Sequence, residues 1–220
     1  LASALAFASD GADVVITARR EEKLLAAADS IEEQTGRRPL TVAGDITDPG
    51  EPDRVVAATI ERFGRLDILV PNAGGPPPRR ALDVSDDDIS AAVNANMTST
   101  IRLIRSARPH LAASGSGRIC CITSVSVVQP IDSLSLSNLA RAGLWGWAKT
   151  AAQDLRQEGV TLNLICPGLH RTERMKAVQG TGPMGDPADF GKAVAFLCSA
   201  AAGFITATTL VVDGGTTLGL

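Results

Sequence analysis

Tyrosine is absent from the 220 residues, and aromatic residues together reach only 3 %, as five phenylalanines and two tryptophans. Chemistry that relies on a phenol as proton donor must therefore find another group here. Histidine is nearly as scarce, at two residues, and neither sign of charge dominates: the formal net charge is -3 and the pI about 5.4. That balance speaks against a nucleic-acid surface. Hydrophobic residues make up 45 %, but in short runs, none near the roughly 20 apolar residues of a membrane helix, so no membrane partner is expected. The stretch Leu1 to Ala8 lacks a basic flank and is too short for a complete signal peptide. The four cysteines, Cys120, Cys121, Cys166 and Cys198, form neither a CxxC pair nor a zinc spacing. They read as reduced, buried thiols of a cytoplasmic protein, with no disulfide framework and no metal site.

What is present is a rhythm. Short β-branched runs occur at 13–17 (DVVIT), 40–43 (LTVA), 66–70 (LDILV), 118–123 (RICCIT), 160–165 (VTLNLI) and 209–212 (TLVV). Helical patterns lie between them near 20–35, 48–63, 86–113, 133–158 and 187–200. Strand, helix, strand at this spacing predicts a single α/β domain, a doubly wound parallel sheet with helices on both faces. The length suits one such domain. Ser85 ahead of three aspartates reads as a helix cap, and Asp48 and Asp186, each before a proline, as helix entries. In the helix near 133–158, Leu139, Ala142, Trp145 and Ala148 recur at helical spacing, with Arg141 and Lys149 read as surface residues. Two places are abrupt: Leu1 opens directly on a helix with no strand before it, and a helical pattern stops between Val178 and Gly182. We expect pieces of the natural protein to be absent from the sequence at both.

Several stretches resemble the short-chain dehydrogenase/reductase family, in order and over essentially the whole chain. GADVVITARR resembles the family's second strand and following turn, GDITDP its adenine-side acidic turn, and LDILVPNAGG its fourth strand with the Asn-Ala-Gly loop. NANMTS is similar to the helix with its structural asparagine, and GRICCITSVS to the strand ending in its active-site serine. GVTLNLICPGLHRT and TTLVVDGG resemble the Pro-Gly turn and the last strand. The resemblance implies a Rossmann-like fold and an NAD(P)(H)-dependent oxidoreductase acting on a small carbonyl or alcohol. It implies a homotetramer or homodimer built on the helices near 86–113 and 133–158. It also implies a Gly-rich phosphate loop and first strand just before Leu1. Residues that follow predicted strands gather at the ligand-binding rim of such sheets, which makes Asp45, Ile46, Asn72, Ala73, Gly74, Pro167, Gly168 and Thr172 candidate cofactor contacts. The run that resembles the family's second strand ends Thr17-Ala18-Arg19-Arg20, with no acid to hold the ribose 2′-hydroxyl of NAD. Arg19 therefore favours NADP, NAD remaining possible; its alternative is a solvated arginine pair at a helix start.

The family's chemistry uses Asn, Ser, Tyr and Lys. The resemblance maps asparagine to Asn96 and serine to Ser124; the tyrosine position, about 13 residues on, falls on Ser137, and the lysine on Arg141. An aliphatic hydroxyl is a far weaker acid than a phenol, and arginine stays protonated. The family's proton transfer cannot run here in its usual form. His170, after the Pro-Gly turn, is either a titrating group near the nicotinamide or a loop histidine at the base of a lid. Three functional readings follow: an oxidoreductase with a rebuilt proton route, with Asn96, Ser124, Ser137 and Arg141 catalytic and Arg141 also on the cofactor; an inactive cofactor-binding homologue serving as a subunit or regulator; or a related fold doing non-redox chemistry. Specificity is expected in the loops after Gly74, around Gln129–Leu136, and between Arg171 and Pro183.

Overall fold

The computed structural model describes residues 1–172 and 184–218. The elements run α1 (Ala2–Ser9), β1 (Val15–Ala18), α2 (Glu21–Thr35), β2 (Leu40–Ala43), α3 (Glu51–Phe63), β3 (Ile68–Leu69), α4 (Asp86–Val93), α5 (Ser99–Ala113), β4 (Arg118–Ile122), α6 (Ser135–Arg156), β5 (Thr161–Pro167), α7 (Pro187–Cys198) and β6 (Thr209–Val212). Every strand pairing is parallel. The abrupt segment at 178–182 lies outside the described residues.

Side chains alternate across β4, and that alternation sorts the helices into two layers. Ile119 and Cys121 pack with Leu162 and Leu164 of β5 against α3, α5 and α6. Cys120 and Ile165 face the other way, against Phe190, Val194 and Leu197 of α7, with Phe7 of α1 beside them. The result is the expected Rossmann-like α/β fold, covered on both faces. All four cysteines are buried and unbonded, which follows from their place in strands and a helix of this core.

The strands form two sheets rather than one, β1 with β2 and β3-β4-β5-β6. Between β1 and β3 runs a cleft of about 830 Å³ lined by apolar residues, among them Val15, Ile16, Val56, Ile68 and Val70. No described strand lies between β1 and β3 to join the halves.

Local chemistry explains most boundaries. Ser85 caps α4 through a reciprocal pair: its Oγ accepts from the Asp88 N–H at 3.1 Å, and the Asp88 carboxylate accepts from the Ser85 N–H at 3.1 Å. Asp186 caps α7 by accepting from the Ala188 N–H at 2.9 Å. Asp48 does not cap α3; Gly50 stands at that position. The helix expected over 86–113 is interrupted by a π-helical turn at Asn94–Thr98, a feature that often accompanies functional sites.

The α6 face also differs from expectation. Leu139 is 47 % and Trp145 39 % exposed, while the buried face carries Leu136, Ser137, Ala140, Arg141, Leu144 and Ala148. Arg141 is therefore not a surface residue. Two polar residues on the inner face displaced the apolar stripe by a third of a turn, and only the packing reveals it.

Candidate functional site

The carboxyl ends of β1 and β2 make one end of the site. Beyond β1, Arg19 is 76 % exposed at its side chain, with a nitrogen 3.8 Å from the Asp45 carboxylate. Asp45 follows β2 and folds a tight turn: its Oδ1 accepts from the Thr47 N–H at 3.0 Å and the Thr47 hydroxyl at 2.8 Å. These bonds, the Arg19 charge adding a little, hold its carboxyl below the usual range. Ile46 packs into the core between them. The Thr47 carbonyl then accepts from Asn94 Nδ2 at 3.3 Å and Arg102 Nη1 at 3.4 Å. This turn is thereby fastened to the π-helical segment.

At the other end, β3 and β4 splay apart. The Ile122 N–H donates to the Pro71 carbonyl at 3.0 Å, after which Asn72, Ala73 and Gly74 leave the ladder. Arg141 reaches into the fork from α6: Nη1 donates to the Ile122 carbonyl at 3.1 Å and Nη2 to the Ala73 carbonyl at 3.1 Å. Its residue is 7 % exposed, and Ser137, one turn earlier, 5 %. A side chain at Gly74 would meet nothing within 4 Å. The backbone there borders open space, as a flat ligand requires.

Ser124 extends from the end of β4. Its Oγ accepts from the Ser126 N–H at 3.1 Å, so its own O–H remains a donor for a ligand oxygen. Asn96 is buried in the π-helical turn; its Nδ2 donates to the Ala92 carbonyl at 3.3 Å, and its Oδ1 has no partner among the described residues. Such an orphaned acceptor fits a site completed by a polar guest.

Pro167 ends β5 and Gly168 follows, its N–H on the Val212 carbonyl at 2.9 Å. A Cβ on Gly168 would lie 2.5 Å from Asp213 Cβ, so glycine is imposed here by the β5–β6 packing. His170 turns into the protein: its Nδ1 lies 3.2 Å from the Gly168 carbonyl and its ring stands edge-on to Phe190, centroids 5.2 Å apart. This is the loop-histidine reading. Thr172 is exposed, its N–H on the His170 carbonyl at 2.7 Å. It makes no described contact with Ser124, Ser137 or Arg141.

Three participants escaped the sequence reading. Asp213 anchors the last turn: a side-chain hydrogen bond from Thr217 first, and then the Gly215 and Thr217 N–H groups it accepts from at 2.9 and 2.7 Å, draw its carboxyl down to about 2; the Asp-Gly-Gly that follows β6 was its signal. Cys166 sits below Ser124, its Sγ 3.0 Å from Thr123 Oγ1, and burial pushes its thiol up. Arg79 joins two of the specificity loops, its N–H on the Ser133 carbonyl at 2.9 Å and its carbonyl accepting from Ser135 Oγ at 2.8 Å. No sequence pattern announces the last two. Among the described residues no cluster of His, Cys, Asp or Glu could hold a metal ion, and no helix is long and apolar enough to cross a membrane.

Comparison with known proteins gives the family of the chain. Residues 1–217 match the family model described as "Enoyl-(Acyl carrier protein) reductase". The chain is 32 % identical to (2S)-[(R)-hydroxy(phenyl)methyl]succinyl-CoA dehydrogenase subunit BbsD of Thauera aromatica, over 98 % of this chain and 91 % of that protein. It is 32 % identical to the 3-oxoacyl-[acyl-carrier-protein] reductase FabG of Vibrio cholerae, over 94 % and 88 %. Among solved structures, L-sorbose reductase from Gluconobacter frateurii, complexed with NADPH and L-sorbose, superposes with a TM-score of 0.93 at 29 % identity, covering 100 % of this chain and 92 % of that one. With the family model spanning nearly its full length, the chain belongs to the short-chain dehydrogenase/reductase family.

Proposed function

We propose that this protein is an NADP(H)-dependent oxidoreductase of a small carbonyl or alcohol substrate, working through an altered reaction corner made by Asn96, Ser124, Ser137 and Arg141. The observation that carries the reading is the junction at Arg141. One guanidinium gathers the loop bearing Gly74, the strand leading to Ser124 and the helix bearing Ser137 into one place. The open space at Gly74 and the unpartnered Asn96 Oδ1 fit a bound dinucleotide. Asn72, Ala73, Gly74, Pro167 and Gly168 would hold its nicotinamide half, with Thr172 beyond the Pro-Gly turn. Arg19, Asp45 and Ile46 would hold the adenine half, Arg19 exchanging its long contact with Asp45 for a 2′-phosphate. The NADPH in the L-sorbose reductase structure supports that preference.

When bound, the cofactor supplies or accepts a hydride. The protein's part is to hold the substrate oxygen and handle its proton. Ser124 donates its free O–H to that oxygen. Arg141 contributes a fixed positive charge and no proton near neutral pH. Ser137 puts a small hydroxyl where the family has a phenol, so the proton route runs through hydroxyls of much higher pKa. The exposed apolar stripe of Leu139, Ala142 and Trp145 on α6 supports self-association into a dimer or tetramer. Four unbonded thiols suit a reducing, cytoplasmic setting. The apolar cleft between β1 and β3 suits the additional parallel strand expected ahead of α1.

The test is NADPH titration of the chain followed by a panel of carbonyl and alcohol substrates, with Ser124→Ala and the double variant Ser137→Tyr/Arg141→Lys alongside. NADPH-dependent turnover that Ser124→Ala removes, with cofactor binding retained, is the expected result. Turnover that arises only in the double variant would show that the natural chain has lost its chemistry.

A further inference from the structure

We infer that Arg141 is a positioning residue: its guanidinium replaces the missing rungs of the β3–β4 ladder and so fixes the height of the Asn72–Gly74 loop over the ligand space. The bond from the Ile122 N–H to the Pro71 carbonyl is the final rung between these strands. Past it the two chains diverge, and the carbonyls of Ile122 and Ala73 lose the strand partners that parallel pairing would have supplied. Both accept instead from Arg141, one from each terminal nitrogen, at 3.1 Å each. The donors come from one rigid planar group, so the two carbonyls are held at a fixed separation. A lysine offers one point charge on a flexible stem and cannot impose that spacing.

Burial strengthens the case. A charge this deep is costly unless hydrogen bonds satisfy it, and an apolar side chain of similar size would leave both carbonyls without these donors. The position therefore demands a two-headed donor. The residue opposite the fork is Gly74, which has nothing within 4 Å of where its side chain would be. A loop with open space on one side has no packing there to set its position, and the guanidinium sets it from the other.

The inference uses the oxidoreductase reading only for its cofactor readout. Hydrogen exchange is measured on the chain without cofactor, for Arg141→Lys and Arg141→Met against the natural protein, followed by NADPH affinity from fluorescence. In Arg141→Met, amide exchange over 72–75 and 122–124 should accelerate tenfold or more while β5 and β6 keep their protection. NADPH affinity should fall at least tenfold. Arg141→Lys should restore part of both. If loop exchange and NADPH affinity are unchanged in both variants while turnover is lost, Arg141 acts on the substrate and the inference is overturned. If Arg141→Met fails to fold, Arg141→Lys decides: natural exchange rates in that variant would refute the two-headed strut. A natural chain that binds no NADPH would sink the oxidoreductase reading, yet the exchange result would stand or fall independently.

Discussion

Two glycines at the rim of the sheet are glycine for different reasons, and replacing each with alanine separates fold from ligand. At Gly168 the new Cβ would lie 2.5 Å from Asp213 Cβ and 2.8 Å from Asp213 Cα. Carbon atoms prefer about 3.5–4.0 Å, so β5 and β6 must part by about 1 Å at their last rung. Overpacking of this kind costs about 1–3 kcal/mol, or about 2–12 °C in Tm for a domain of this size. At Gly74 the Cβ meets nothing, and the backbone is not in the left-handed region. Gly74→Ala should therefore leave stability unchanged or raise it by up to about 1 kcal/mol, because alanine restricts the unfolded chain. If the nicotinamide half of the cofactor lies against this backbone, the same methyl group should weaken NADPH binding at least tenfold. Calorimetry and fluorescence titration on the two variants provide the four numbers. Full-strength NADPH binding by Gly74→Ala would refute the placement of the ligand. A Tm for Gly168→Ala within a degree of the natural protein would refute the packing argument.

Arg19→Asp should erase the preference for NADPH over NADH by about tenfold or more at low salt, since it removes the cation and sets a second carboxylate near Asp45; equal binding of both cofactors by the natural chain would dismiss Arg19. Asp213 is held down to about 2 against about 3.9 in an unfolded chain. Its contribution to the final turn is therefore complete above about pH 4 and fades as pH falls towards 2, and hydrogen exchange at Gly215 and Thr217 should report that loss, absent in Asp213→Asn, which should be loosened at every pH. Replacing Leu139 and Trp145 together by serine should shift the protein towards a monomer in light scattering at micromolar concentration; a monomer of 22.7 kDa before replacement would remove the basis for assembly through α6.

Most of the fold was legible because the strands are short apolar runs that no helix period fits, and each strand segment reappears within a residue or two, β3 shrinking most, to Ile68–Leu69. Capping at Ser85 and Asp186 was legible because side-chain chemistry there acts within three residues. The π-helical turn was not, since a wide turn changes which backbone groups pair while leaving the apolar period nearly intact. The Rossmann-like rim, by contrast, followed from where the loops fall after strands.

The misread face of α6 says most about the site. Periodicity assigns the inner face of a helix by its apolar residues, and here it selected Leu139 and Trp145, which are exposed, because Ser137 and Arg141 occupy inner positions. A polar pair in the core breaks the agreement between local pattern and packing that a folding sequence otherwise keeps, and such breaks concentrate where function requires them. The resemblance to a Tyr-xxx-Lys pair pointed to the same two positions by a separate route. The geometry then adds what neither route contained: Arg141 donates to a carbonyl at the end of β4 and to one in the loop after β3, the two segments that frame the ligand space. An apolar side chain at this position would leave both carbonyls without a donor. Keeping a guanidinium there, with both its terminal nitrogens engaged, argues for a site still held in working shape.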